Sequence, residues 1–185
     1  MKKTLIIIGV IVLILVSYGW TSYNGLVTIR ENATAQWQQV EVQYQRRFDL
    51  IPGLVNATKA VLVQEQKVFS DIAEARTRYA GAQTVGEKVA AANATESALS
   101  RLLVVIENYP TLKSSETVRD LMVGLEGAEN RISTERGRFN DAVRTYQTAI
   151  QKFPKNIFAS VFGFKDIEYF QAQTGADVAP KVELN

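Results

Sequence analysis

No charged residue occurs from position 4 to position 29, a run of 26 residues. Its first half, residues 5–16, reads LIIIGVIVLILV, eleven aliphatic residues and one glycine. As a helix the whole run would extend ~39 Å, against a bilayer hydrocarbon core of ~30 Å. Tyr18, Trp20 and Tyr23 follow the aliphatic stretch, where rings with one polar edge favour the membrane–water boundary. Lys2 and Lys3 precede it. The reading is an uncleaved transmembrane anchor over residues 1–23, with Lys2, Lys3, Tyr18, Trp20 and Tyr23 at its interfaces. A cleaved signal peptide is the alternative, because the strongly apolar core is short and Ser17 and Gly19 are small. Against cleavage, no A-x-A pattern is present and bulky rings crowd the position. The two lysines place the N-terminus in the cytoplasm by the positive-inside rule, and so the remaining chain outside it. Arg30 and the Arg46–Arg47 pair stand on the other side of the run.

Beyond the anchor the chain is electrically balanced. Its 185 residues carry 21 Lys and Arg against 19 Asp and Glu, net +2; setting Lys2 and Lys3 aside leaves 19 of each. A nucleic-acid partner, which calls for a basic face against phosphates, is not expected. The chain has no Cys and no His. Cysteine nucleophiles, disulfides, Cys acylation, His acid–base chemistry and the commonest metal ligands are thereby excluded. No catalytic residue, cofactor or metal is assigned.

The body reads as long helices separated by prolines at 52, 110, 154 and 180. Trp37, Val40, Tyr44, Arg47, Ile51, Leu54, Thr58, Val61, Glu65, Val68, Ile72, Ala75 and Tyr79 recur at spacings of three and four. That is a seam for partner helices, predicting one helix of ~64 Å with a kink at Pro52. Gly81 and Gly86 mark a turn. A second helix is expected over about 85–108, ended by Pro110. Ser114 or Ser115 then caps a third. Its seam is Leu121, Leu125, Ala128, Ile132, Glu135, Phe139, Val143, Tyr146, Ile150 and Phe153, stopped by Pro154. Gly124, Gly127 and Gly137 weaken this helix but permit close backbone approach. A shorter segment, about 156–171, carries five aromatics and covers the end of the bundle or dips into lipid. The fold class is all-α: a single N-terminal transmembrane helix, then an elongated antiparallel bundle of three long helices plus a short C-terminal helix. Domain bounds are 1–23 for the anchor, 24–172 for the bundle and 173–185 for a flexible tail.

Arg47, Glu65 and Glu135 sit on these apolar seams, with Arg46, Asp49, Glu126, Glu129, Asn130, Arg131 and Arg136 nearby. A charge inside a bundle costs several kcal/mol unless it is paired. The simplest expectation is an interhelical network of Arg–carboxylate pairs that fixes register. The functional alternative is a buried polar site built on Glu65, Glu129 and Glu135. A di-iron bundle needs Glu-x-x-His, which a chain without His cannot supply.

The run Arg46-Arg47-Phe48-Asp49-Leu50-Ile51-Pro52-Gly53-Leu54-Val55 resembles the RR-x-DLIPNL signature of the LemA family, with Gly53 where the family usually has Asn. Tyr23-Asn24, Trp37, Glu107-Asn108-Tyr109-Pro110, Leu125 to Ile132, Phe139-Asn140, Phe153-Pro154 and Tyr169-Phe170 continue the resemblance along nearly the whole chain. It implies a bacterial envelope protein with one N-terminal membrane helix and a long helical bundle, and it implies no catalytic residues. The functional expectation is a membrane-anchored scaffold of the inner membrane. It would contact lipid, associate with its own copies and shape or organise membrane. An adaptor that binds an envelope protease or signalling protein is the second reading. A carboxylate enzyme is the third.

Overall fold

The computed structural model describes residues 2–62 and 65–170, and the expected tail at 173–185 lies outside them. The described chain is all-α. Its elements are α1 (Lys2–Lys59), α2 (Gln66–Gly81), α3 (Val85–Glu107), α4 (Pro110–Lys113), α5 (Glu116–Gln151) and α6 (Lys155–Val161). The uncharged run and the first body segment form one helix: α1 has 58 residues and crosses position 23 without a break. Pro52 lies inside it.

The long first seam is the main departure from the sequence reading. It does not continue as one helix to Tyr79. The amides of Val61 and Leu62 both donate to the Thr58 carbonyl at 3.0 Å, closing the end of α1. The chain then folds back, so that the Tyr79 ring on α2 lies 5.5 Å from Tyr44 and 4.7 Å from Phe48 on α1. Two apolar stripes thus bury one another, which a single straight helix could not achieve. Leu62 is buried at the reversal, whereas the seam position Val61 is 42% exposed.

The other boundaries follow local chemistry. Thr84 caps α3 in a capping box, its hydroxyl accepting from the Glu87 amide while the Glu87 carboxylate accepts from the Thr84 amide. Those backbone donors hold the Glu87 carboxyl below its ordinary pKa. Pro110 starts α4 at the position where its missing amide costs nothing. Of the two candidate caps for α5 it is Ser115 whose hydroxyl meets the Val118 amide, at a long 3.5 Å. The last helix is shorter than expected. It ends at Val161, and Gly163, with φ +73°, turns the chain out of it. Of the three glycines on α5, only Gly124 is in close quarters. A Cβ there would lie 3.3 Å from Leu50 of α1, while Gly127 and Gly137 face open space.

The chain divides into two compact units. The first holds Met1–Val40 and Thr134–Tyr169. Its core is Leu26, Tyr146, Ile150 and Ala159, with Trp37 packed edge-on against Phe139. The second holds Glu41–Ser133 and, of the described residues, Phe170. There α1, α2, α3 and α5 enclose Tyr44, Leu54, Ile72, Leu102, Ile106 and Leu125.

Candidate functional site

Among the described residues of the second unit the apolar packing is interrupted by one fully buried cation. Arg47 is 1% exposed. Its Nη1 donates to Glu129 Oε2 of α5 at 2.7 Å, and Glu96 Oε2 of α3 lies 3.9 Å away. Its Nη2 donates to the carbonyl of Ala92 at 3.1 Å. The guanidinium carbon sits 5.2 Å from the Tyr44 ring centre and 5.9 Å from that of Phe48. A planar fork with several donors can serve three helices and two rings at once; a lysine ammonium could not. Ala91 and Ala92 are buried beside it, and their small side chains let α3 come close enough for a carbonyl to be the acceptor. Glu129 keeps 37% of its side chain exposed, so only one member of the pair is taken fully out of water. That lowers the desolvation cost of the pair relative to a fully buried one.

Two neighbours complete the electrostatics. Lys88 of α3 pairs with Glu41 of α1. The Tyr79 hydroxyl is buried without a hydrogen-bond partner among the described residues. Burial first, then the Glu41 charge, raises its pKa above the ordinary phenol value, while the Arg47 cation opposes the shift. Outside Arg47, α3 and α5 leave a groove of about 540 Å³ with Leu99, Leu103, Met122 and Val123 on its walls and Arg47, Glu129 and Asn130 at one end.

The structure brings together part of the polar network read from the sequence. Arg47 and Glu129 meet, and Glu126 and Asn130 line the same groove. Arg46 and Asp49 are exposed, Asp49 accepting from Gln45 on its own helix at 2.7 Å. Arg131 is exposed and Arg136 half-buried. Glu135 pairs with Arg138 of its own helix at 2.8 Å, so its contact is local and not interhelical. Glu65 is not on a helical seam: it is the residue preceding α2, at the chain reversal. Sequence reasoning missed Glu96, the Ala92 carbonyl and Tyr79. The signal for the first two was the small-residue face Ala91, Ala92, Thr95 and Ala98, all buried, which marks where another helix must approach.

The second candidate region is the apolar end of α1. By length and composition α1 and α3 could each cross a membrane. The apolar face of α3 is occupied, with Ala92, Leu99, Leu102 and Ile106 buried in the second unit. By contrast, every aliphatic of residues 5–16 is exposed by 51–68%. Lys2 and Lys3 are exposed at its start. At its end Trp20 is 72% exposed, while Tyr18 packs on Phe158 and Tyr23 on Phe162 and Phe164.

Residues 36–184 match the LemA family. This chain belongs to the LemA family. The match takes in the Arg47 centre, the groove and most of both units. Among curated relatives of the family member, magnetosome protein MamQ of Magnetospirillum gryphiswaldense is 30% identical over 181 residues, covering 84% of this chain and 66% of the relative. Magnetosome protein MamQ 2 of Paramagnetospirillum magneticum is 32% identical over the same shares. The chain thus spans 66% of the length of these relatives. Membership in the LemA family and the bare apolar helix together make this a membrane-associated helical protein.

Proposed function

We propose that the chain is a non-enzymatic, membrane-anchored scaffold of the bacterial envelope that self-associates to organise or shape membrane. It crosses the inner membrane once, with Lys2 and Lys3 on the cytoplasmic side and the helical body outside. The observation that carries this reading is α1, a single helix that supplies both the bare apolar span and the first helix of the body. The charged groups support it: the Glu129 carboxylate is held by Arg47 in a role that fastens two helices, and that of Glu135 is held by Arg138 of its own helix. Gly9 faces open space within the span and offers a close-approach point for a second transmembrane helix. Relatives named for a structure rather than for a reaction agree with it. Light scattering on full-length protein in detergent and after reconstitution into liposomes tests the proposal. Defined oligomers are expected, and a strict monomer in both overturns it.

The groove beside Arg47 favours a second reading, an adaptor that seats a partner's apolar segment between α3 and α5. A photocrosslinker at Val123, which is 67% exposed on the groove wall, separates the two. Capture of other copies of the chain fits the scaffold. Capture of a different envelope protein, abolished by Leu103→Glu with helicity unchanged, fits the adaptor.

A further inference from the structure

The last described segment of the first unit returns to the very part of α1 where the aliphatic run ends. Phe158 packs against Tyr18 at 5.5 Å between ring centres, and Phe162 against Tyr23 at 5.0 Å. Gly19 is the notch that admits it: a Cβ there would stand 3.0 Å from the Phe158 ring. Only one face of this segment is used. Ala159 is buried in the core, but Phe153 is 79% exposed, Val161 74% and Ile157 52%. Between the segment and α1 runs an apolar groove of about 710 Å³, walled by Leu15, Val16, Trp20, Phe158 and Phe162. A surface of this kind, continuous with eleven bare aliphatics, has water as an unfavourable neighbour on every side. Lys152, exposed, and Lys155, half-buried, flank Phe153, where cationic side chains reach lipid headgroups.

We propose that residues 153–162 are a second membrane-contacting element, a foot that sits in the bilayer interface beside α1 and takes lipid acyl chains into the groove. The occupant is lipid because the groove runs from residues 15 and 16, inside the span, to Tyr23, at the depth where the hydrocarbon boundary must fall. Residues 5–16 alone would extend only ~18 Å as a helix, well short of a ~30 Å core. Residues up to Tyr23 are needed to complete the span, and these are the residues the foot packs against. A side contact at that depth fixes the tilt and rotation of the anchor, which a lone helix leaves free. The inference rests on the anchor reading.

Because the native chain has no cysteine, single labels report cleanly. Spin labels at Ile157→Cys, Val161→Cys, Val12→Cys and Val123→Cys, in full-length protein in phosphatidylcholine–phosphatidylglycerol vesicles, give each site's depth from its accessibility to oxygen against a polar nickel chelate. The labels at 157 and 161 are expected to show a several-fold higher ratio than the label at 123, with the one at 12 highest. Aqueous values at 157 and 161 with a buried label at 12 overturn the foot and leave the anchor standing. An aqueous value at 12 overturns the anchor itself. Helicity by circular dichroism, unchanged in all four variants, confirms that the substituted chains fold.

Discussion

The two units bury a tyrosine hydroxyl in opposite ways. In the first, Tyr146 donates to the carbonyl of Lys165 at 2.8 Å, because the chain leaving α6 runs back along α5. Gln147 holds the same strip through the carbonyl of Ile167, also at 2.8 Å. In the second, Tyr79 finds no partner for its hydroxyl among the described residues and lies instead in the field of Arg47, Glu41 and Tyr44. The first unit secures its core with neutral hydrogen bonds to an irregular segment. The second secures its core with an ion that reaches across helices. A returning segment offers a buried hydroxyl free backbone carbonyls, whereas in a packed set of helices most backbone groups are already paired along their own helix.

Substitutions test that contrast. Arg47→Ala carries the largest expected effect, a loss of about 3 kcal/mol in denaturant unfolding, since it removes a buried pair, a carbonyl contact and two ring contacts together. Tyr146→Phe leaves the Lys165 carbonyl without its donor and is expected to cost about 1 kcal/mol in the same measurement. Both phenols have raised pKa values through burial, so each favours the folded state fully below the ordinary phenol pKa of about 10. That contribution is lost as pH rises past it through the higher folded value. Thermal melts should therefore fall above about pH 10, and Tyr79→Phe should blunt the fall. At neutral pH Tyr79→Phe should change stability by no more than about 0.5 kcal/mol, as it deletes a hydroxyl that bonds to none of the described residues. A cost as large as that of Tyr146→Phe would show that Tyr79 has a partner and would erase the distinction.

Much of this was legible in the residues. The seam from Trp37 to Thr58 is buried at every position, Arg47 included, and Leu125, Ala128, Ile132, Phe139, Val143, Tyr146 and Ile150 repeat that on α5. The reversal after Lys59 was not legible, for a definite reason. The spacing of three and four passes through Val61 and Glu65 into α2 unchanged, so periodicity sees no interruption where the chain turns round. Residues 60–65 contain neither glycine nor proline to announce it. The true marker, Leu62, lies off the seam and becomes buried only once the hairpin exists. The partners of Arg47 were half legible: charge on a seam demands a carboxylate, but choosing Glu129 and Glu96 over Glu65 and Glu135 requires knowing which helices meet. The end of α6 was hidden for a different reason. Its aromatics continue past Gly163, and only the backbone turn there separates helix from returning strip.

The contacts of Arg47 also have a length along the chain. Ala92 is 45 residues away and Glu129 82. Neither can form until long loops have closed, whereas the helices that carry them form from neighbours three and four residues apart. The ion is thus expected to form late in folding, and its absence should leave the refolding rate nearly untouched while the folded chain opens sooner. Such a fastening acts as a latch: it does little to speed assembly and much to slow the opening of the assembled fold.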